Sequence, residues 1–205
     1  MELGIKRDWV GGKWNSTLSV YRILKNNELT ADPNSPPSSG LSIELGQKRS
    51  QGIEFDLRGT IINGLNLIAN YAYTDSRVTK VAEGITDVGE GDIVPGYAKH
   101  TMNTWLNYKI QSGVLKGTGF SAGFTYLSGR ETYWDPSPDP NQSLPDYFKL
   151  DAGLFWEKDN MRLTANVFNV LDEYLYSGSY YSWLNAYYWQ TESPRNVRIS
   201  VSYKF

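Results

Sequence analysis

Aromatic side chains are the residues best equipped to do chemistry here, and they gather in two stretches. One is Tyr133-Trp134; the other is Tyr174, Tyr176, Tyr180, Tyr181, Trp183, Tyr187, Tyr188 and Trp189. Both stretches are polar and turn-rich, so rings at this density stack on the apolar face of a ligand or close over an opening. The plainer expectation is that they pack against neighbouring loops. Other chemistry is thin. His100 is the only histidine, which leaves no His pair for a metal and no Ser-His relay; it reads as a polar residue where a strand begins. Asp135 and Asp139 share a loop, but Pro136 and Pro138 break the ligand spacing of an EF-hand, so that loop reads as solvated. Arg130 and Glu131, at the base of the same loop, read as a structural ion pair. No catalytic constellation is present, and neither a metal site nor a cofactor is expected.

The elements that position these rings are strands. Fifteen Tyr, seven Trp and seven Phe make 14 % of the 205 residues, alongside nineteen Gly, a composition that favours β structure. Mean hydropathy is −0.47 and no apolar run reaches helical membrane-spanning length, but alternating barrel strands escape that test. A formal charge of −2 argues against a nucleic-acid partner, and zero cysteines exclude disulfides and thiolate sites. Residues 1–12 lack the apolar core of a signal peptide, so the chain is expected to be a piece whose export signal lies elsewhere.

Period-2 alternation predicts nine strands. The first is weak, at 2–9, and the second covers 13–25. The third, 46–62, sets Ile53, Phe55 and Leu57 against Glu54, Asp56 and Arg58. The fourth, 65–77, carries Leu65, Leu67, Ala69, Tyr71 and Tyr73 on one face. The fifth, 99–110, has Met102, Thr104, Leu106 and Tyr108 against Asn103, Asn107 and Lys109, with Trp105 out of pattern. The sixth sets Phe120, Ala122, Phe124 and Tyr126 against Ser121, Gly123 and Thr125. The seventh, from Phe148 to Trp156, has Phe155 out of pattern, and the eighth covers 161–167. The ninth, 197–205, alternates Val197, Ile199, Val201, Tyr203 and Phe205 with Arg198, Ser200, Ser202 and Lys204. Short turns such as Asn63-Gly64 and Lys158-Asp159-Asn160 alternate with long loops at 26–45, 78–98, 131–145 and 172–192.

That sorting puts every short turn at one end and every long loop at the other, the habit of an outer-membrane barrel with a wet lumen. Two aromatic girdles should bound the lipid band, with Trp156, Tyr108 and Tyr203 at the short-turn rim and Tyr73, Tyr126 and Phe148 at the other. Nine strands cannot close antiparallel and would leave two open edges in lipid. The expectation is therefore all-β: an antiparallel up-and-down transmembrane barrel of which these are about nine strands.

Several segments resemble the barrel of TonB-dependent siderophore receptors of the ferrichrome-receptor-like branch. They are Gly52-Ile53-Glu54-Phe55-Asp56, GLNLIANYAYTDSRVTK at 64–80, VPGYAKHTMNTWLNYKI at 94–110, GTGFSAGFTYLSGRE at 117–131, ANVFNVLDEYLYSG at 165–178 and SPRNVRISVSYKF at 193–205. The resemblance covers nearly all of 42–205. It implies a 22-stranded barrel around an N-terminal plug, of which residues 1–205 would be the C-terminal barrel part, with plug and N-terminal strands absent. It further implies uptake of ferric siderophores at the outer membrane of a Gram-negative bacterium, energised by the TonB complex through that missing N-terminal region. Ligand would be gripped by aromatic loop side chains, here Tyr133, Trp134, Tyr176, Tyr180, Tyr181, Trp183, Tyr187 and Trp189. Tyr203 and Phe205 would be the signal read by the barrel-assembly machinery, and Arg58, Arg162 and Arg198 would face the plug. Two other functions stay open on the residues alone: a small self-contained outer-membrane pore or adhesin, and a soluble all-β module with an aromatic carbohydrate site.

Overall fold

The computed structural model describes residues 1–32, 34–36, 39–86, 88–131, 143–182 and 186–205, with the side chains of 30, 31, 45, 180–182, 186 and 187 outside that description. The nine expected strands are present. They are β1 (Glu2–Trp9), β2 (Trp14–Ala31), β3 (Ser42–Ile62), β4 (Leu65–Val81), β5 (Ala98–Lys109), β6 (Thr118–Arg130), β7 (Tyr147–Lys158), β8 (Met161–Phe168) and, last in the chain, β11 (Asn196–Tyr203). They form one antiparallel sheet in the order β1-β2-β3-β4-β5-β6-β7-β8-β11, each strand beside its sequence neighbour. The sheet is a single layer. Few apolar side chains are buried, while Leu154, Val197, Ile199 and Val201 are all more than 60 % exposed on one face. An apolar face this bare has lipid as its solvent.

Register carries the apolar face unbroken across the sheet. Leu67 pairs with Leu106, Leu106 with Ala122, Ala122 with Ala152, Ala152 with Val167 and Val167 with Val197. The opposite face holds hydrogen-bonded polar side chains: Asn103 donates to Asn70 at 2.9 Å and Thr125 donates to Asn103 at 2.8 Å. At its short-turn end, Glu157 is shared by Lys109 and Arg162, the latter at 2.7 Å. The expected inward arginines also lie over rings: Arg162 is 5.0 Å from the centre of Phe155 and Arg198 5.4 Å from that of Phe168.

The aromatic rows fall where alternation places them. Tyr108 packs on Phe120 and Tyr203 on Phe205 at the short-turn rim; Phe124 packs on Phe148 toward the other. His100 belongs to that second row. Its Nδ1 lies 2.9 Å from the Tyr71 hydroxyl and its ring 5.3 Å from that of Tyr73, so it is an outward-facing girdle residue rather than a bare strand-end polar one.

Trp105 and Phe155 broke the alternation in sequence, and β6 explains both. Trp105 pairs with Gly123, and Phe155 with Gly119. Each large ring lies over a strand glycine, where a Cβ would collide with it. Gly123→Val should therefore destabilise the barrel by about 1–3 kcal/mol through overpacking. The check is the fraction of protein that keeps its folded mobility in cold detergent gels; an unchanged fraction would show that Trp105 simply moves aside.

Three expectations are corrected. The stretch 26–45 is not mainly loop, because β2 runs to Ala31 and β3 begins at Ser42. Beyond the lipid band a strand needs backbone pairing but no apolar face, so alternation stops signalling it. Bulges around Glu28, beside Asn27 at φ 54°, shift the register there. The stretch 172–192, expected as loop, contains a second sheet: β9 (Tyr176–Ser182) pairs antiparallel with β10 (Ala186–Thr191). The final strand also runs Asn196–Tyr203 (8 residues), ending two residues earlier than expected, although the Lys204 amide still bonds to the Asn160 carbonyl at 2.9 Å.

Candidate functional site

The β9–β10 hairpin rises from the long-loop end, and four groups seat it. Asn169, 1 % exposed and at φ 53°, is the pivot. Its amide donates to the Asp151 carboxylate at 2.8 Å. Its side chain accepts from the Glu173 amide at 3.1 Å and donates to the carbonyls of Glu173 and Ser193 at 2.9 and 3.4 Å. Asn tolerates this left-handed backbone because its short amide bonds locally. Asp172, at φ 58°, accepts from the Arg195 amide at 2.8 Å and pairs with its guanidinium at 3.4 Å. Lys149 of β7 lies 3.5 Å from Glu192. Both legs of the hairpin are thus tied to each other and to β7.

Arg130 holds the hairpin from the other side. It is 5 % exposed, donates to the carbonyls of Tyr176 and Pro145 at 2.8 and 2.6 Å, and lies 5.6 Å from the Tyr147 ring centre. The expected pairing with Glu131 is absent. β6 ends at Arg130, and after Gly129, at φ 63°, the Arg130 guanidinium turns to the carbonyls instead. Tyr97 fastens the preceding loop to β4, its hydroxyl accepting from the Ser76 amide at 2.9 Å; burial pushes that hydroxyl above the usual phenol range.

Of the aromatic residues singled out in sequence, Tyr176 and Trp189 come together, with ring centres 5.0 Å apart and edge to face. Tyr174, 76 % exposed, continues the stack 5.5 Å from Tyr176. Tyr180, Tyr181 and Tyr187 lie on the hairpin backbone, Tyr181 opposite Tyr187, but their side chains are outside the described residues. Tyr133, Trp134 and Trp183 lie outside them altogether, as do Asp135 and Asp139. Tyr203 and Phe205 stack at 5.3 Å on the opposite rim, away from this group. Among the described residues no group of three or more His, Cys, Asp or Glu could hold a metal ion. Sequence reading missed Arg130 and Asn169 as supports. The Asn and Asp of Asn169-Val-Leu-Asp172 were a legible turn signal, whereas Arg130 gave none, because its partners are main-chain carbonyls distant in sequence.

A single-layer antiparallel sheet with a lipid face, a polar face, two aromatic rows and an aromatic hairpin at its long-loop end is wall from an outer-membrane β-barrel receptor. The chain belongs to the TonB-dependent receptor β-barrel family: the family described as TonB dependent receptor-like, beta-barrel, matches residues 1–170. Relatives extend the match to the whole chain. The metal-pseudopaline receptor CntO of Pseudomonas aeruginosa is 30 % identical over 205 residues, covering all of this chain and 27 % of its own length. The ferric-pyoverdine receptor PbuA of Pseudomonas sp. strain M114 is 30 % identical over 213 residues, covering all of this chain and 24 % of itself. The solved siderophore receptor PiuA of Acinetobacter baumannii superposes with a TM-score of 0.77 at 24 % identity, over all of this chain and 28 % of that one. The chain thus spans about a quarter of the length of these relatives and is part of a barrel. Membership places it in the outer membrane of a Gram-negative bacterium, in a family of receptors and transporters rather than enzymes.

Proposed function

We propose that residues 1–205 form part of the barrel wall of a TonB-dependent receptor that takes up ferric siderophores, with the β9–β10 hairpin gripping the ligand at the outer mouth. The observation that carries this reading is the braced aromatic stack of Tyr174, Tyr176 and Trp189 at the long-loop end. Rings held rigidly at an opening present apolar area at little entropic cost, which suits a chelate that wraps its iron in an organic shell. Relatives named as ferric-pyoverdine and metal-pseudopaline receptors support the same ligand class. In this reading the chain is the C-terminal part of a 22-stranded barrel around a plug, and the TonB complex is engaged through the N-terminal region of the whole receptor. The Tyr203–Phe205 pair is the segment recognised by the barrel-assembly machinery, and the chain has no catalytic role. A self-contained pore is disfavoured because, among the described residues, β1 and β11 each pair on one side only.

The test is uptake of iron-loaded siderophores by cells carrying the full-length receptor and its Tyr176→Ala/Trp189→Ala double variant. Loss of two stacked rings is expected to raise the half-saturating concentration about tenfold, with the receptor's surface level unchanged. Equal half-saturation in both would reject the hairpin as a ligand grip, and no uptake of any ferric siderophore would reject the cargo class.

A further inference from the structure

The β5–β6 turn departs from the polar chemistry of a turn that meets water. Its stem is closed by the Gly117 amide on the Ile110 carbonyl at 3.1 Å, and the Lys116 amide bonds to the Gly113 carbonyl at 3.2 Å. At its tip Val114 is fully exposed and Leu115 largely so. Between this turn and the β7–β8 turn lies a cleft of about 640 Å³, lined by Val114, Lys116, Trp156 and Lys158 among others. Register fixes which way its wall points. Trp156 pairs with Leu163 and Lys158 with Met161, so both stand on the apolar face, with the lysine nearer the short-turn rim. Trp156 belongs to the girdle of that rim, and girdle rings sit at the level of lipid headgroups. The lining holds three ammonium groups, on Lys109, Lys116 and Lys158, and two carboxylates, on Glu157 and Asp159. Glu157 is already shared by Lys109 and Arg162. Among the described residues Lys116 and Lys158 make no ion pair and no side-chain hydrogen bond. Asp159 alone is left to balance two cations.

We propose that this cleft seats the headgroup of an anionic phospholipid from the leaflet at the short-turn rim. The ammonium groups of Lys116 and Lys158 bond the phosphodiester, and Val114 and Leu115 rest among the upper acyl carbons. A lysine on a lipid-facing position reaches a phosphate along its apolar stem while that stem stays in hydrocarbon. Each cation near an anionic lipid surface adds attraction. A turn tip dipped into the interface also removes two apolar side chains from water. A soluble anion would satisfy the lysines but leave Val114 and Leu115 in water, so the occupant is a lipid and not free phosphate.

Native mass spectrometry of the full-length receptor, released from detergent micelles, counts bound lipid as phosphatidylglycerol is titrated in. Phosphatidylcholine is the zwitterionic comparison and inorganic phosphate the soluble competitor. Phosphatidylglycerol should add in preference to phosphatidylcholine. The K116A/K158A variant should raise the half-saturating concentration of one bound phosphatidylglycerol about tenfold. L115D keeps both lysines and should weaken the same binding. K25A/K80A, which removes two lysines of the long-loop end, should leave it unchanged. Every substituted side chain is exposed, so the sheet keeps its packing in all of these variants. Equal addition of the two lipids to the wild type, an unchanged half-saturation in K116A/K158A or L115D, an equal loss in K25A/K80A, or displacement by inorganic phosphate would each overturn the proposal. Lipid addition is read without iron uptake, so its failure leaves the siderophore reading standing, and failed uptake leaves the lipid site standing.

Discussion

Leu154→Arg should cost the assembled barrel roughly 2 kcal/mol and sharply lower the amount of folded receptor in outer membranes. Leu154 is 63 % exposed on the apolar face, paired with Phe120 on one side and Ala165 on the other. Those neighbours offer a cation neither an acceptor nor a counter-charge. The nearest relief is for the side chain to reach past Trp156 to the short-turn rim, which keeps the cost below that of a charge at the middle of the band. The matched control is Thr17→Arg, on the polar face beside Lys6, Asp56 and Arg58. Water and a nearby carboxylate keep that change within about 0.5 kcal/mol. Denaturant unfolding of both variants in lipid vesicles measures the difference; equal costs would mean that the two faces have been assigned the wrong way round.

Asn169→Ala should release the hairpin without unfolding the sheet. The substitution leaves the Glu173 amide and the carbonyls of Glu173 and Ser193 without their buried partner, and it puts a residue with no local side-chain bond at φ 53°. Unmade buried hydrogen bonds cost about 1–3 kcal/mol each, and the left-handed backbone roughly 1 kcal/mol more. The ties that remain are the hairpin's own ladder, Arg130, the Asp172–Arg195 pair and the Lys149–Glu192 pair. Amide exchange should therefore accelerate about a hundredfold over 176–191, while β5 and β6 keep their protection. Exchange that rises uniformly over the whole sheet would show Asn169 to be a general stabiliser rather than the pivot of the hairpin.

Alternation was enough to read the fold within the lipid band, because there each residue has only two environments and they differ by a full transfer free energy. Ile53, Phe55 and Leu57 against Glu54, Asp56 and Arg58 leave one assignment of faces, and β3 pairs with β4 in the register that assignment requires. The exceptions were informative as well. Trp105 and Phe155 fall on the polar face, and each lies over a glycine across the strand, a relation that only the register brings out. Above the band the signal fades. Residues 26–31 and 42–45 look like loop in sequence, since both their faces meet water, yet they pair as strand.

The candidate site was half legible. Density of rings marked the stretch that holds Tyr176 and Trp189, because exposed aromatics stand out against any polar background. What seats them did not stand out: Arg130 read as one half of an ion pair with its neighbour, and Asn169 carried no mark of its own.

From the sequence alone came the nine strands of the main sheet, the two faces, the aromatic rows, and the inference that nine strands leave their edges unpaired. All of these follow from period-2 chemistry along the chain, where neighbours in sequence are neighbours on a face. Only the tertiary structure decided that Tyr176–Ser182 and Ala186–Thr191 pair as a braced second sheet, and that its support is Arg130 on main-chain carbonyls 15 and 46 residues away. Those relations depend on which strand ends meet at one rim, and no local pattern of residues encodes that meeting.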